Sequence, residues 1–232
     1  MNFPEGLFAH EWTFGAFVPL ALVWLWCIGT APWRRLADSA QLNIWLGTIV
    51  ILMLMWSMKA GVQPGMNLHL LGATVFTLMF GRQLAILGLS VVLAAVTFNS
   101  AGSAIGWTPY ALNALVMVVF PVLMAFAILR LVERTLPANI FVYFFAGAFF
   151  NAALTTVATG LLTSVLLALA GVYPAEMLFS DYFPYFILLG FAEAWLNGAA
   201  ITLMVVYYPD WVGTFDDRRY LWNDKIVEKN HE

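Results

Sequence analysis

Charge is what this sequence has least of. Only 10% of its 232 residues are Asp, Glu, Lys or Arg, whereas ordinary globular domains carry roughly 25%. A chain that is also 62% hydrophobic has too little polar surface to cover a water-soluble fold, so an integral membrane protein is expected. Cysteine is nearly absent too. The one present, Cys27, excludes an intrachain disulfide and reads as a small buried hydrophobe inside the first apolar run. The opening "MNFPEGLFAH" lacks the basic stretch of a secretory signal, so the mature chain is expected to begin at or next to Met1. No P-loop, zincin pattern, nucleophile elbow or dinucleotide fingerprint occurs, which leaves no basis for ATP hydrolysis or a familiar catalytic site. The chain is not expected to be an enzyme, and any energy source has to come from a partner. Ten basic and thirteen acidic residues, nearly all in loops and ends, give no patch for nucleic acid.

What the sequence does have is apolar length. A helix needs about 20 residues to cross a hydrocarbon core about 30 Å thick. That rule predicts an all-α, polytopic bundle with spans near 14–31, 41–58, 67–81, 83–99, 110–131, 138–171 and 183–208. The third is short and the sixth overlong, so the sixth is expected to tilt, to extend beyond the bilayer or to break near Gly160, and a count of six or eight spans stays open. One membrane domain over 1–208, with an external segment 1–12 and a cytoplasmic tail 209–232, accounts for the whole chain. With seven spans, Arg34, Arg35, Arg82, Arg130, Arg134, Arg218, Arg219, Lys225 and Lys229 share one side, and Lys59 is alone on the other. Basic loops stay cytoplasmic, so this grouping predicts an external N-terminus and a cytoplasmic C-terminus. Trp12, Trp24, Trp107, Tyr110, Tyr182 and Tyr185 fall near span boundaries, as interfacial aromatics do. Gly147, Ala148, Ala152, Gly190 and Ala194 suit close helix contact in lipid.

Polar groups inside a bilayer are costly enough to be candidates for function. Here they are His69, Glu193, Asn113, Asn151 and Asn197. His69 heads the set because imidazole is the commonest metal ligand; it is expected about half a turn into the third helix, on the same side as the N-terminus. Glu193, in the last helix, is open to a structural hydrogen bond, a proton relay or a partner contact. His10 and Glu11 lie near the membrane surface, and His231 belongs to a charged tail. Met66 precedes His69 by three residues, yet the methionines read mostly as apolar filler. A bis-histidine haem would need two histidines at similar depth, and His69 has no such companion.

Three segments, "MNFPEG", "PGMNLHLLGAT" and "AEAWLNGAAITLMVVYYPDWV", together resemble the CbiM/NikM family, the substrate-binding membrane components of energy-coupling factor transporters for cobalt and nickel. The resemblance implies a seven-helix fold with an external N-terminus, probing both ends and the middle of the chain. It implies a metal held by the N-terminal amine, by the backbone nitrogen and imidazole of the second residue, and by a helix-borne histidine after the Gly-rich stretch. These positions are Met1, Asn2 and His69, with Pro4, Glu5 and Gly6 matching the turn that seats the N-terminal segment. Metal-binding members have histidine where this chain has Asn2, so a square-planar all-nitrogen site for Ni(II) or Co(II) is incomplete. Three outcomes are open: His10 folds back as a replacement ligand, another ion such as Cu or Zn is bound by a different ligand set, or the chain has left metal transport and serves as a membrane scaffold or assembly subunit. Retained metal handling is the reading adopted, with no tightly bound cofactor and with a transported divalent ion as substrate. The resemblance also implies a transmembrane coupling subunit, two cytoplasmic ATPases and a bacterial cytoplasmic membrane.

Overall fold

The apolar runs fold as six long helices in the computed structural model, which describes residues 2–61, 63–99 and 106–221. We label them α1 (His10–Thr30), α2 (Ser39–Ser57), α3 (Ala73–Asn99), α4 (Tyr110–Thr135), α5 (Ile140–Leu169) and α6 (Ala175–Tyr207); each is long and apolar enough to cross a membrane. Helices satisfy their own backbone groups, which is what a lipid environment demands. Between α2 and α3 lie two short antiparallel strands, β1 (Ala60–Gly61) and β2 (Asn67–Leu68).

Two helices contain wide π-type turns just ahead of a proline. Leu115–Val119 precedes Pro121 in α4, and Leu178–Tyr182 precedes Pro184 in α6. A proline lacks its N–H and crowds the carbonyl four residues back, and a widened turn relieves both problems without ending the helix. α5 also runs unbroken, so the overlong sixth span does not break near Gly160. Gly160 instead gives its space to the Phe186 ring of α6, which a Cβ at that position would strike. Gly190 likewise lies against the Ala153 backbone of α5, the close approach that small residues permit between membrane helices.

α3 is the element that departs most from a simple span. Gly81 takes φ 76° and ψ 169°, which divides it into limbs 73–80 and 82–99. The first limb descends beside α2. Trp56 meets Leu71, Trp45 meets Phe76, and Arg35, beside Gln41 at the far end of α2, donates to the Met79 carbonyl. The second limb climbs back beside α1, where Gln83 reaches Thr30 and Trp24 reaches Ser90. α3 is therefore a hairpin, and its two limbs correspond to the third and fourth expected spans. The first limb's eight helical residues cover only ~12 Å, so the rest of that crossing is the extended chain that precedes it. Gly81 occupies a backbone region reserved in practice for glycine, and nothing lies within 4 Å of the place where a Cβ would sit. Gly81→Ala is expected to cost about 1–3 kcal/mol from the backbone alone, read as a lower unfolding temperature of the detergent-purified protein.

The described basic residues fall into the same two groups as in the sequence, at opposite ends of the bundle. Arg219 and Arg130 both pair with Glu133, at 3.6 and 2.9 Å, and Arg35 reaches the Asp210 and Trp211 carbonyls at 3.2 Å. Lys59 sits at the opposite end of α2, next to β1. Lys225, Lys229 and His231 lie outside the described residues. Of the aromatics expected at the interface, Trp12, Trp107 and Tyr185 are exposed, but Tyr182 is fully buried, edge-on to Phe186, and Tyr110 is buried with its hydroxyl donating to the Ser90 carbonyl. Both lie on helix faces that turn into the bundle, which distance from a span end does not reveal. Cys27 is buried and free.

Candidate metal centre

His69 is not on a helix. It lies in the extended segment between β2 and α3, because α3 begins only at Ala73 and Gly72, with φ +62°, turns the chain into it. The segment is held from two sides. Trp56 Nε1 donates to the Leu71 carbonyl at 3.0 Å. On the other side the Leu71 and Gly72 N–H groups donate to the Glu193 carboxylate of α6, and the Val75 N–H donates to Asn197 Oδ1 at 2.8 Å. Asn197 Nδ2 donates back to Glu193 Oε2 at 2.5 Å. Glu193 and Asn197 thus cap the first limb of α3, where a helix leaves its N–H groups unpaired and where negative charge is favoured. Among the described residues Glu193 is the only carboxylate in the buried set.

The imidazole itself is 4% exposed, with the Trp56 ring 5.0 Å away. Its Nδ1 is 3.0 Å from the Leu70 carbonyl, an atom that can only accept, so Nδ1 carries the proton and the Nε2 lone pair is left for a ligand. A neutral imidazole with a fixed tautomer is the form that binds metal.

The N-terminal segment is brought to the same place by side chains of two other elements. The Phe3 N–H donates to Asn113 Oδ1 at 2.8 Å, and Asn113 Nδ2 donates to the Phe3 carbonyl at 3.1 Å, so α4 pairs with residue 3 as a neighbouring strand would. Asn67 Nδ2 donates to the Asn2 carbonyl at 3.4 Å. Asn67 and His69 lie two residues apart in extended chain, which puts them on one side of it. Phe3 is fully buried against Phe8. Gly6 and Gly65 both take positive φ, and a Cβ on Gly65 would strike Leu7, so the two turns nest against each other. Glu5 accepts a hydrogen bond from Thr108.

Asn2 is 2% exposed, and its Oδ1 is buried with no hydrogen-bond partner. Met1 lies outside the described residues. His10 opens α1, exposed and stacked on Phe14 at 5.8 Å, and lines a separate hollow with Glu5 and Thr108. Asn151 joins helices: its Nδ2 donates to the Ala125 and Gly147 carbonyls at 2.8 and 3.0 Å, and its Oδ1 accepts from Thr155. Met66 is buried in the core. No group of three or more His, Cys, Asp or Glu side chains converges among the described residues, so an ion here would need backbone, amine or amide donors beside His69. Sequence reasoning passed over Trp56 and Asn67. Asn67 was within reach of it, through its two-residue spacing from His69.

Known proteins support the same reading of the architecture. The family model described as the cobalt uptake substrate-specific transmembrane region, CbiM, matches residues 2–211. Two crystal structures of transition metal transporters, one truncated, are similar in fold. The truncated one superposes with a TM-score of 0.72 at 16% identity, covering 89% of this chain and 99% of the other. The second gives 0.69 at 16% identity, with 88% and 92% covered. No curated protein matches the sequence. The hairpin of α3 and the membrane helices around it all lie inside the matched range, and the chain belongs to the CbiM family, as an integral membrane component of metal uptake.

Proposed function

We propose that this protein is the substrate-capture component of an energy-coupling factor transporter, and that it binds a divalent transition metal between its N-terminal segment and His69. The observation that carries this reading is the double clamp on the N-terminal segment. Asn113 and Asn67 spend their amides on the backbone of residues 2 and 3, which fixes those residues beside a buried imidazole whose lone pair is free. A segment with only a packing role does not need its main chain registered in this way. Met1 enters through the family resemblance, which assigns its amine to the ion. Cobalt and nickel are the ions that resemblance implies, with copper and zinc as further candidates.

Motion of the ion across the bilayer would draw on a transmembrane coupling subunit and cytoplasmic ATPases, consistent with a sequence that has no nucleotide motif. The membrane would be the bacterial cytoplasmic one. The face opposite the metal pocket, around Arg35 and the 209–221 segment, would be where such partners dock.

The test is isothermal titration of Co(II) and Ni(II) into the full chain in detergent with a free amine. His69→Ala is expected to weaken binding by about 100-fold or more, on the scale of losing one ligand and its support. Asn113→Leu, which frees the N-terminal segment without touching a ligand, is expected to weaken it by about 10-fold. Equal binding by wild type and both variants would rule the pocket out. The substitution at Asn2 favours a second reading, a membrane scaffold that keeps the fold and has lost the ion. Co-purification of a stable membrane partner, with no metal bound by the wild type, would select it.

A further inference from the structure

We infer that Asn2 places its side-chain carbonyl oxygen on the transported ion, and that this donor tunes the pocket toward Co(II) and away from low-spin, square-planar Ni(II). The inference rests on the pocket proposed above and deepens it.

Asn2 is singled out by comparison with the other buried amides. Asn113, Asn151 and Asn197 each have both ends of the carboxamide engaged, the oxygen by Phe3 N–H, Thr155 Oγ1 and Val75 N–H and the nitrogen by carbonyl or carboxylate oxygens. Asn2 is as deeply buried as they are, yet its Oδ1 meets no donor. Natural folds rarely tolerate that; among the described residues only the Tyr182 and Tyr220 hydroxyls share it, and the main chain around Asn2 leaves no slack to explain it. Its own carbonyl is held by Asn67 and the next residue by Asn113. A buried carbonyl oxygen kept open, on the segment clamped beside the buried His69, is an acceptor waiting for a cation.

The covalent geometry fits. The Oδ1 of asparagine is the same number of bonds from its own backbone nitrogen as the Nδ1 of histidine. An asparagine at this position therefore closes the same chelate ring that a histidine would, with the donor atom changed from nitrogen to oxygen. The exchange changes ion preference more than it changes shape. Square-planar, spin-paired Ni(II) depends on a full set of strong nitrogen donors, and an amide oxygen is a harder and weaker-field ligand. Nitrogen and oxygen donors together suit an ion that accepts a high-spin environment, as Co(II) does.

The experiment loads the detergent-purified full chain, amine free, with CoCl2 or NiCl2 and follows visible absorption, magnetic susceptibility by NMR, and affinity. Wild-type protein is expected to hold Ni(II) in a paramagnetic form. Asn2→His should render the bound Ni(II) diamagnetic and raise the Ni(II) to Co(II) affinity ratio about 10-fold or more. Asn2→Leu should lower Co(II) affinity about 10-fold or more, while its metal-free form unfolds at the wild-type temperature or above, because an unpaired oxygen has been replaced by carbon. Diamagnetic Ni(II) in the wild type, or unchanged Co(II) affinity in Asn2→Leu with His69→Ala still abolishing binding, would overturn this inference and leave the pocket standing. No binding of either ion by wild type or by Asn2→His would overturn the pocket and this inference with it.

Discussion

Glu193→Ala is expected to destabilise the protein by about 3–5 kcal/mol, from two buried backbone N–H groups and one of the two Asn197 amide N–H groups left without an acceptor at ~1–3 kcal/mol each, toward the lower end of that sum because Asn197 Nδ2 keeps the Glu193 main-chain carbonyl. The donors are the Leu71 and Gly72 N–H groups and Asn197 Nδ2. Leu71, Gly72 and Asn197 are all buried, and the hollow that Gly72 and Asn197 line is mostly apolar, so it offers these donors no ready replacement acceptor. For a chain of this size the loss corresponds to a fall in unfolding temperature of about 6–20 °C, measured by thermal scan of the detergent-purified protein at a fixed rate. Glu193→Gln is expected to lose about half as much, since its carbonyl still accepts from the backbone while its NH2 opposes that of Asn197. Metal binding should weaken in both variants, because residues 71 and 72 anchor the segment that carries His69. If Glu193→Ala unfolded at the wild-type temperature, the carboxylate would have no part in holding this segment.

Arg35→Ala acts at the other end of the same limb. Arg35 Nη1 donates to the Met79 carbonyl at 2.6 Å, Nη2 to the Asp210 and Trp211 carbonyls at 3.2 Å, and Nε to Gln41 Oε1 at 3.0 Å, with the guanidinium 4.8 Å from the centre of the Phe80 ring. One side chain ties α2, the tip of the α3 hairpin and the segment after α6 together. Hydrogen bonds to a charged donor contribute about 1.5–3 kcal/mol each when buried. Arg35 is only partly buried, so about 2–3 kcal/mol for the whole cluster is expected. Gly213 N–H and Thr214 N–H also bond to Met79 and Leu78 carbonyls, at 2.9 and 3.2 Å. The variant should therefore loosen the 209–221 segment rather than release it. Limited proteolysis should cut that segment faster in Arg35→Ala than in wild type, and Arg35→Lys, which keeps the charge but not the planar fork, should fall between them. Identical cleavage of all three would remove Arg35 from this role.

These two residues define what is unusual about the first limb of α3. It is too short to cross a bilayer, its entrance is held by α6 through Glu193, and its exit is held by Arg35 and the Gly213–Thr214 backbone. A displacement of the 209–221 segment would reach the chain behind His69 through only eight helical residues.

Composition and hydropathy were enough to establish a helical membrane protein and the grouping of basic residues at one end of it, but not the helix count, which is six long helices among the described residues with the third and fourth expected spans joined at Gly81. The first two depend on transfer energies that sum along a contiguous stretch and need no knowledge of neighbours. That the chain around His69 and the N-terminal segment lie at the same end of the bundle was legible for the same reason. Glu193 could be picked out as costly in lipid, but its role could not, because the N–H groups it accepts from are 121 and 122 residues away in the chain. The sequence placed His69 on a helix, whereas the fold holds it in extended chain; the start of α3 is decided by the Gly72 turn and by the Glu193 and Asn197 cap, both tertiary. The burial of Tyr182 and Tyr110 was likewise decided by which helix face turned inward. Asn2 shows the division most clearly. As a residue type it was only a missing histidine, and it became a candidate ligand once packing had buried its oxygen and left it without a donor. Local chemistry settles what a residue is able to bind, and only the packed bundle settles which of its atoms are already taken.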